Sequence, residues 1–205
     1  MFMEVMHSRG DITHAGQILN PLIAQAFGQA ILGHHAQVMR REGEPIGTSR
    51  SYSPQICRGL LGESLGRFDL LDEIGLGRAA ESTFKELLAE QGEDVLSLAF
   101  SGDYFVGTPG FGVWHIDGND YRLLVNLGTL PIELEVADRW VWTERFPGAN
   151  QPQALESSTI RYVTGEGIFL NNKKSPTERQ PHAGRDRASK VFMRLRAYAQ
   201  RGSNS

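Results

Sequence analysis

The spacing of apolar residues changes near residue 93 of this 205-residue chain, and that change constrains the fold more than any other feature. Before it, apolar residues recur every three to four positions, as in an amphipathic helix. After it, short β-like runs are separated by Gly, Pro and Asn, as in strands joined by turns. We therefore expect an α+β fold in which residues 1–92 form a helical layer that covers one face of a β-barrel core in residues 93–200.

The N-terminal half predicts three helical segments. The first runs from Asn20 to Arg41, and its Asn20-Pro21 pair is typical of a helix start. A second, shorter helix is expected from Ser53 to Leu65. The third runs from about Asp69 to Gln91 and is followed by Gly92, a residue that favours helix C-termini.

The C-terminal half predicts eight short strands, which suits an all-β barrel or sandwich. Loops are expected over 146–158 and 172–181, and a frayed tail over the last five residues. The strands are expected at 95–100, 112–115, 121–127, 132–136, 140–143, 159–163, 167–170 and 190–199.

Composition limits the function classes. The length favours a single domain over residues 1–205, and one cysteine excludes an intramolecular disulfide. A net charge of −3 without long runs of like charge gives no footprint for nucleic acid or for an anionic membrane. No apolar stretch approaches the roughly 20 residues that cross a bilayer. A cytoplasmic location is the expectation.

The sequence Trp114-His115-Ile116-Asp117 carries the clearest chemical signal. In an extended segment, residues two apart point to the same face, so His115 and Asp117 could share one ion. The Gly118-Asn119 turn that follows would place the pair at the rim of a sheet.

His182, just before the last predicted strand, is the candidate for a third ligand. Two imidazoles and one carboxylate on one side of a metal leave positions open, the arrangement suited to non-haem Fe(II). A cupin-like metalloenzyme or a zinc hydrolase could use the same three residues, and a non-catalytic metal-binding barrel could keep them without turnover.

The span from about 112 to 198 resembles the iron(II)/2-oxoglutarate-dependent oxygenases, whose double-stranded β-helix (jelly roll) carries an H-x-D/E … H triad. The segments Gly167–Asn172 and His182–Arg185 are similar in pattern to the taurine-dioxygenase and clavaminate-synthase-like branch. The resemblance implies that His115, Asp117 and His182 hold Fe(II). It also implies a basic residue on the last strand that pairs with the far carboxylate of 2-oxoglutarate.

Arg196 lies 14 positions after His182, the spacing typical of that branch, and Arg194 is the second candidate for the far carboxylate. Arginine suits this role because its planar guanidinium makes two parallel charge-assisted hydrogen bonds to a carboxylate. Arg122 and Asn126 share one face of the strand after the H-x-D motif, and are further candidates for co-substrate or substrate contacts.

The function that the resemblance implies is an O2-using dioxygenase of hydroxylase type that releases succinate and CO2. Asp117 favours that outcome, because a halogenase of the superfamily would have Ala or Gly there. The expected substrate is a small molecule, an amino acid or a peptide side chain. The sequence does not name it.

Overall fold

The computed structural model describes residues 6–7, 10–52, 76–107, 110–118, 120–146, 149–173, 178–186 and 190–199. The helices in this part of the chain are α1 (Pro21–Glu42) and α2 (Leu76–Glu90). The strands are β1 (Met6–His7), β2 (Ile12–Gln17), β3 (Arg50–Tyr52), β4 (Leu98–Gly107), β5 (Gly110–Phe111), β6 (Tyr121–Asn126), β7 (Ile132–Phe146), β8 (Ala149–Tyr162), β9 (Glu166–Asn171), β10 (His182–Asp186) and β11 (Lys190–Ala199).

The strands form two antiparallel sheets. The larger has the order β2-β9-β6-β11-β4-β3. The smaller has the order β1-β7-β10-β5, and β8 pairs with the other edge of β7. Consecutive strands of the C-terminal half alternate between the two sheets, except at the hairpin of β7 and β8, which both lie in the smaller sheet. This arrangement is a jelly roll, which confirms the predicted fold class.

Two apolar layers hold the sheets and helices together. Between the sheets, Leu124 and Phe192 of the larger sheet pack with Leu134 and Val136 of the smaller one. On the outer face of the larger sheet, the opposite-facing residues of β6 and β11 pack against both helices, with Phe27, Ile31, Phe84 and Leu88 as the main helical contacts. The helices therefore cover the larger sheet and leave the space between the sheets as the barrel interior.

Helix α1 begins and ends as the sequence predicts. The Asn20 side chain accepts hydrogen bonds from the backbone N–H groups of Leu22 and Ile23, and Pro21 occupies the first turn. Gly43 ends the helix in the left-handed conformation. No helix within the described residues is both long and apolar enough to span a membrane.

The strand predictions are confirmed at β6, β9 and β11, and need correction elsewhere. Residues 132–136 and 140–143 belong to one strand, β7, and most of the predicted loop 146–158 is strand β8. Pro152 favoured a loop, but β8 pairs only with β7 among the described residues, and an edge strand tolerates proline. The N-terminal half also contributes β1, β2 and β3, which the helical periodicity did not predict. The predicted helix Ser53–Leu65 lies outside the described residues.

Candidate metal centre

His115 and His182 face each other across the edge of the smaller sheet. The backbone N–H of each residue donates to the carbonyl oxygen of the other, at 3.1 and 2.9 Å. Directly opposed residues of an antiparallel pair place their side chains on the same face. The two imidazole rings consequently lie with their centroids 4.4 Å apart.

Asp117 joins this pair because it lies two residues after His115 in an extended segment. The carboxylate is buried, and its Oδ2 lies 3.5 Å from Nε2 of His182. One ligand atom from each of His115, Asp117 and His182 lies within 4.8 Å of the other two. The structure thus brings together the three residues that the sequence singled out.

The contacts of these residues show which atoms remain for a metal ion. Nδ1 of His115 donates to the carbonyl oxygen of Val113 at 2.9 Å, which leaves Nε2 of that ring for coordination. Oδ1 of Asp117 accepts from Arg122, while the buried Oδ2 has no hydrogen-bond partner within the described residues. Two imidazoles and one carboxylate are a donor set that fits a divalent transition metal. These three residues could therefore hold one.

The charge state of His182 also suits coordination. Burial lowers the pKa of His182 to about 4. The carboxylate of Asp117 opposes this shift, and the charges of His115 and Arg122 add to it. At neutral pH the ring is therefore uncharged, the form in which imidazole binds a metal.

Gln180 fixes the backbone that leads into His182. Its Nε2 donates to the carbonyl oxygen of Ala137 at 3.0 Å, and its Oε1 accepts from the backbone N–H of Ile12 at 3.1 Å. The buried side chain thus links the smaller sheet to the larger one beside the three-residue cluster. Sequence reasoning missed Gln180, because both of its partners are distant along the chain.

Three arginines project into the barrel interior from the larger sheet. Arg122 lies two residues before Leu124, and Arg194 lies two residues after Phe192, so each shares a face with a residue of the inter-sheet core. Arg196 follows on the same face of β11 and lies directly opposite Arg122 on β6. Arg194 and Arg196 therefore both face the barrel interior from β11.

Arg122 connects this positively charged face to the candidate metal ligands. Its Nη1 lies 2.6 Å from Oδ1 of Asp117, and both side chains are largely buried. Burial lowers the pKa of Arg122, with Asp117 opposing the shift and the charges of Arg196 and Arg194 adding to it. An anion bound between Arg122 and Arg196 would relieve the repulsion between these two neighbouring cations.

Asp103 of β4, which sequence reasoning did not single out, binds the two arginines of β11. Nε and Nη2 of Arg194 donate to its two carboxylate oxygens at 2.7 and 2.6 Å, and Nη2 of Arg196 donates at 2.9 Å. Arg194 also donates to Oγ of Ser51 at 2.6 Å, and its guanidinium lies over the ring of Phe105. Arg194 is the more completely engaged of the two.

Asn126 binds backbone groups and is fully buried. Its Nδ2 lies 3.0 Å from the carbonyl oxygen of Leu130 and 3.3 Å from that of Tyr162, and its Oδ1 accepts from the N–H of Gly128 at 2.8 Å. These bonds hold the turn after β6. A side chain engaged in this way has little capacity left for a co-substrate, so we leave Asn126 out of the site proposed below.

The fold matches those of solved structures at low sequence identity. EvdO2 from Micromonospora carbonacea var. aurantiaca, complexed with 2-oxoglutarate, gives a TM-score of 0.54 at 10% identity, covering 93% of this chain and 86% of that one. A Trichoplax adhaerens prolyl hydroxylase in complex with a hypoxia-inducible-factor peptide gives 0.52 at 9% identity, with coverage of 93% and 84%. HygX from Streptomyces hygroscopicus, with nickel and 2-oxoglutarate bound, gives 0.50 at 11% identity, with coverage of 93% and 83%.

Comparison of the sequence alone gives no such match. No family model matches the chain, and no curated protein matches it in a sequence comparison. The likeness therefore lies in the arrangement of the strands and helices. On that ground, the chain shares the double-stranded β-helix fold of these solved structures.

Proposed function

We propose that this chain is an iron(II)- and 2-oxoglutarate-dependent dioxygenase of hydroxylase type. The observation that carries the proposal is the position of His115, Asp117 and His182, whose ligand atoms converge beside an arginine-lined barrel interior. A metal site alone would fit many hydrolases. The neighbouring guanidiniums add a place for an anionic co-substrate, which a simple hydrolase does not need.

In this proposal, Nε2 of His115, Oδ2 of Asp117 and Nε2 of His182 hold the metal. Bound Fe(II) would supply O2 activation coupled to oxidative decarboxylation of 2-oxoglutarate to succinate and CO2, with transfer of one oxygen atom to a substrate C–H bond. The protein contributes the orientation of the ligands. Val113 orients the ring of His115, and Arg122 orients the carboxylate of Asp117.

Arg196 is the residue that we assign to the far carboxylate of 2-oxoglutarate. Within the described residues, it gives one hydrogen bond, from Nη2 to Asp103, so the rest of its guanidinium can pair with an incoming carboxylate. Arg194 already gives both its Nε and its Nη2 to Asp103. Arg196 also lies directly opposite Arg122, and Arg122 contacts Asp117. Arg196 is therefore on the side of the barrel nearer the candidate metal ligands.

The apolar walls around these charges would keep water away from the reaction. Leu124 and Phe192 line one side of the interior, and Leu134 and Val136 line the other. Low solvent access strengthens the pairing between a guanidinium and a carboxylate. The substrate that we propose is a small molecule, an amino acid or a peptide side chain.

The deciding experiment is anaerobic addition of Fe(II) and 2-oxoglutarate to the purified protein, monitored for the weak visible charge-transfer band of the metal chelate. We expect the band in the wild type and its loss in Asp117→Ala. Asp138→Ala is the matched control, because Asp138 is a carboxylate that binds Ser158 at the exposed side of the β7–β8 hairpin. This control should keep the band.

The other outcomes separate the alternatives. Iron binding without the band would reject 2-oxoglutarate as co-substrate and would favour another metal-dependent enzyme of cupin type. Failure to bind any divalent metal would reject the metal centre itself. If the wild type does show the band, release of succinate under air that depends on Asp117 would provide an assay with which to search for the substrate.

A further inference from the structure

The carboxylate of Asp103 lies between two guanidiniums of the neighbouring strand. Asp103 is directly opposite Arg194 in the pairing of β4 with β11, and Arg196 is two residues further along the same face. Three hydrogen bonds of 2.6–2.9 Å join the carboxylate to these two arginines. One negative charge is therefore shared by two positive charges inside the barrel.

This cluster keeps its charges at neutral pH. The side chains of Asp103 and Arg194 are 15% exposed and that of Arg196 is 20% exposed, so solvent screens them only in part. Burial alone would raise the pKa of Asp103, but the hydrogen bonds from Arg194 and Arg196 lower it below its ordinary value. The cluster consequently carries one net positive charge.

Asp103 engages the two arginines unequally. Arg194 meets Asp103 with two nitrogens, donates to Ser51 and lies over the ring of Phe105. Arg196 meets Asp103 with one nitrogen, so most of its guanidinium remains for another acceptor within the described part of the barrel. A single carboxylate bound at Arg196 would bring the cluster to neutrality.

We propose that Asp103 is a specificity-determining residue, which reduces the net charge of the Arg194–Arg196 pair to a single positive charge and so weakens its binding of the far carboxylate of 2-oxoglutarate. This inference rests on the proposed function. Asp103 acts in two opposite ways: it orients both guanidiniums, and it repels any anion that binds them.

The relative size of these two effects decides whether removing the charge of Asp103 strengthens or weakens the binding of 2-oxoglutarate. Asparagine at position 103 keeps one oxygen as a hydrogen-bond acceptor for Arg194, so much of the orientation survives. The full negative charge is lost, and a unit charge a few ångströms away in a half-buried site alters the affinity for an anion by roughly tenfold or more. Loss of the repulsion should therefore outweigh the loss of orientation.

The test compares two 2-oxo acids on the Mn(II)-loaded protein by calorimetry. 2-Oxoglutarate has a far carboxylate, whereas pyruvate has only the end that would meet the metal. We expect the wild type to prefer 2-oxoglutarate, and Asp103→Asn to bind it about tenfold more tightly with unchanged pyruvate affinity. Asp138→Asn removes one negative charge outside the cluster and should match the wild type. Asp103→Glu keeps the charge and should retain a wild-type affinity for 2-oxoglutarate, or a weaker one.

The other possible results distinguish failure of the inference from failure of the proposed function. If the wild type prefers 2-oxoglutarate but Asp103→Asn binds it equally or more weakly, the inference is overturned and the proposed function stands. If the wild type binds both acids equally, or binds neither, the assignment of the co-substrate fails and the inference fails with it. Asp103→Ser removes the same charge and replaces Asp103→Asn if that variant does not fold.

Discussion

Nη1 of Arg122 lies 2.6 Å from Oδ1 of Asp117, which links one oxygen of the candidate metal ligand to the start of strand β6. The two side chains are 14% and 9% exposed, so this is a largely buried ion pair. Arg122 thus compensates the charge of Asp117 from one side, and a divalent metal would compensate it from the other. The stability of the fold and the binding of metal should therefore be linked through this carboxylate.

Arg122→Met tests that linkage. The change leaves the buried carboxylate of Asp117 without its guanidinium, and we expect the free energy of unfolding of the metal-free protein to fall by about 3 kcal/mol. Mn(II) should then stabilise the variant more than it stabilises the wild type, because the metal replaces the lost positive charge. Urea unfolding with and without Mn(II) measures both effects.

The control for this prediction is Arg139→Met. Arg139 pairs with Glu156 at the protein surface, where an ion pair contributes at most about 1 kcal/mol. The free energy of unfolding of Arg139→Met should barely differ from that of the wild type, and Mn(II) should stabilise the two proteins equally. An equal metal-induced gain for Arg122→Met and the wild type would show that Arg122 and the metal do not share the charge of Asp117.

Arg196 and Arg194 should differ in what their loss affects. We expect Arg196→Met to weaken 2-oxoglutarate binding to the Mn(II)-loaded protein by about 10- to 100-fold, because the charge-assisted pair with the far carboxylate is lost. Pyruvate binding should not change. Arg194→Met removes a positive charge near the same site, so it should weaken 2-oxoglutarate binding less than Arg196→Met does. Its main effect should be a lower free energy of unfolding, since Asp103 and Ser51 lose their common partner. Calorimetry and urea unfolding of both variants measure this, and the reverse pattern would assign the far carboxylate to Arg194.

The ion pairs of Asp103 predict an acid-sensitive contribution to stability. The pKa of Asp103 in the folded chain lies below its ordinary value of 3.8, so the folded state binds the proton more weakly than the unfolded state. The contribution is therefore complete above the unfolded value and is lost as the pH falls through the lower, folded value. Asp103→Asn should be less stable than the wild type by about 1–3 kcal/mol near neutral pH.

Urea unfolding of both proteins at several pH values measures how this difference changes. The difference should stay constant down to about pH 5 and shrink below the unfolded pKa of 3.8, because a protonated aspartate resembles asparagine. Asp138→Asn should show no comparable change in this range. A difference that already disappears between about pH 6 and 5 would mean that burial, which raises the pKa, outweighs the two arginines.

Local spacing explains what the sequence could predict of the site. His115 and Asp117 share a face because they lie two residues apart in an extended segment, and Arg194 and Arg196 share a face for the same reason. The pairing of His115 with His182 is tertiary, yet the small number of histidines in the C-terminal half left one candidate. Chemical type and spacing were thus sufficient to name the three candidate metal ligands, whereas the choice of Arg196 over Arg194 came from the resemblance to the oxygenases.

The role of Asp103 could not be predicted in this way. It depends on the register that sets residue 103 opposite Arg194, and the strand predicted for 95–100 begins at Leu98 and continues to Gly107. Strand β8 shows the same limit. Its proline, asparagine and serines favour a loop, while the long edge of β7 provides hydrogen-bond partners that no local pattern reveals.

Gly28 gives the last prediction, because it is where helix α1 touches the larger sheet most closely. A Cβ added there would overlap the carbonyl oxygen of Leu127, just after β6, and would lie 2.7 Å from the carbonyl carbon. Neither group can move without shifting the helix or the turn, so Gly28→Ala should lower the free energy of unfolding by about 2–3 kcal/mol. Gly33→Ala in the same helix meets nothing within 4 Å and should raise it by up to about 1 kcal/mol, because alanine favours the helix. Thermal or urea unfolding of the two variants measures the contrast, and equal effects would mean that α1 does not pack directly on the backbone after β6.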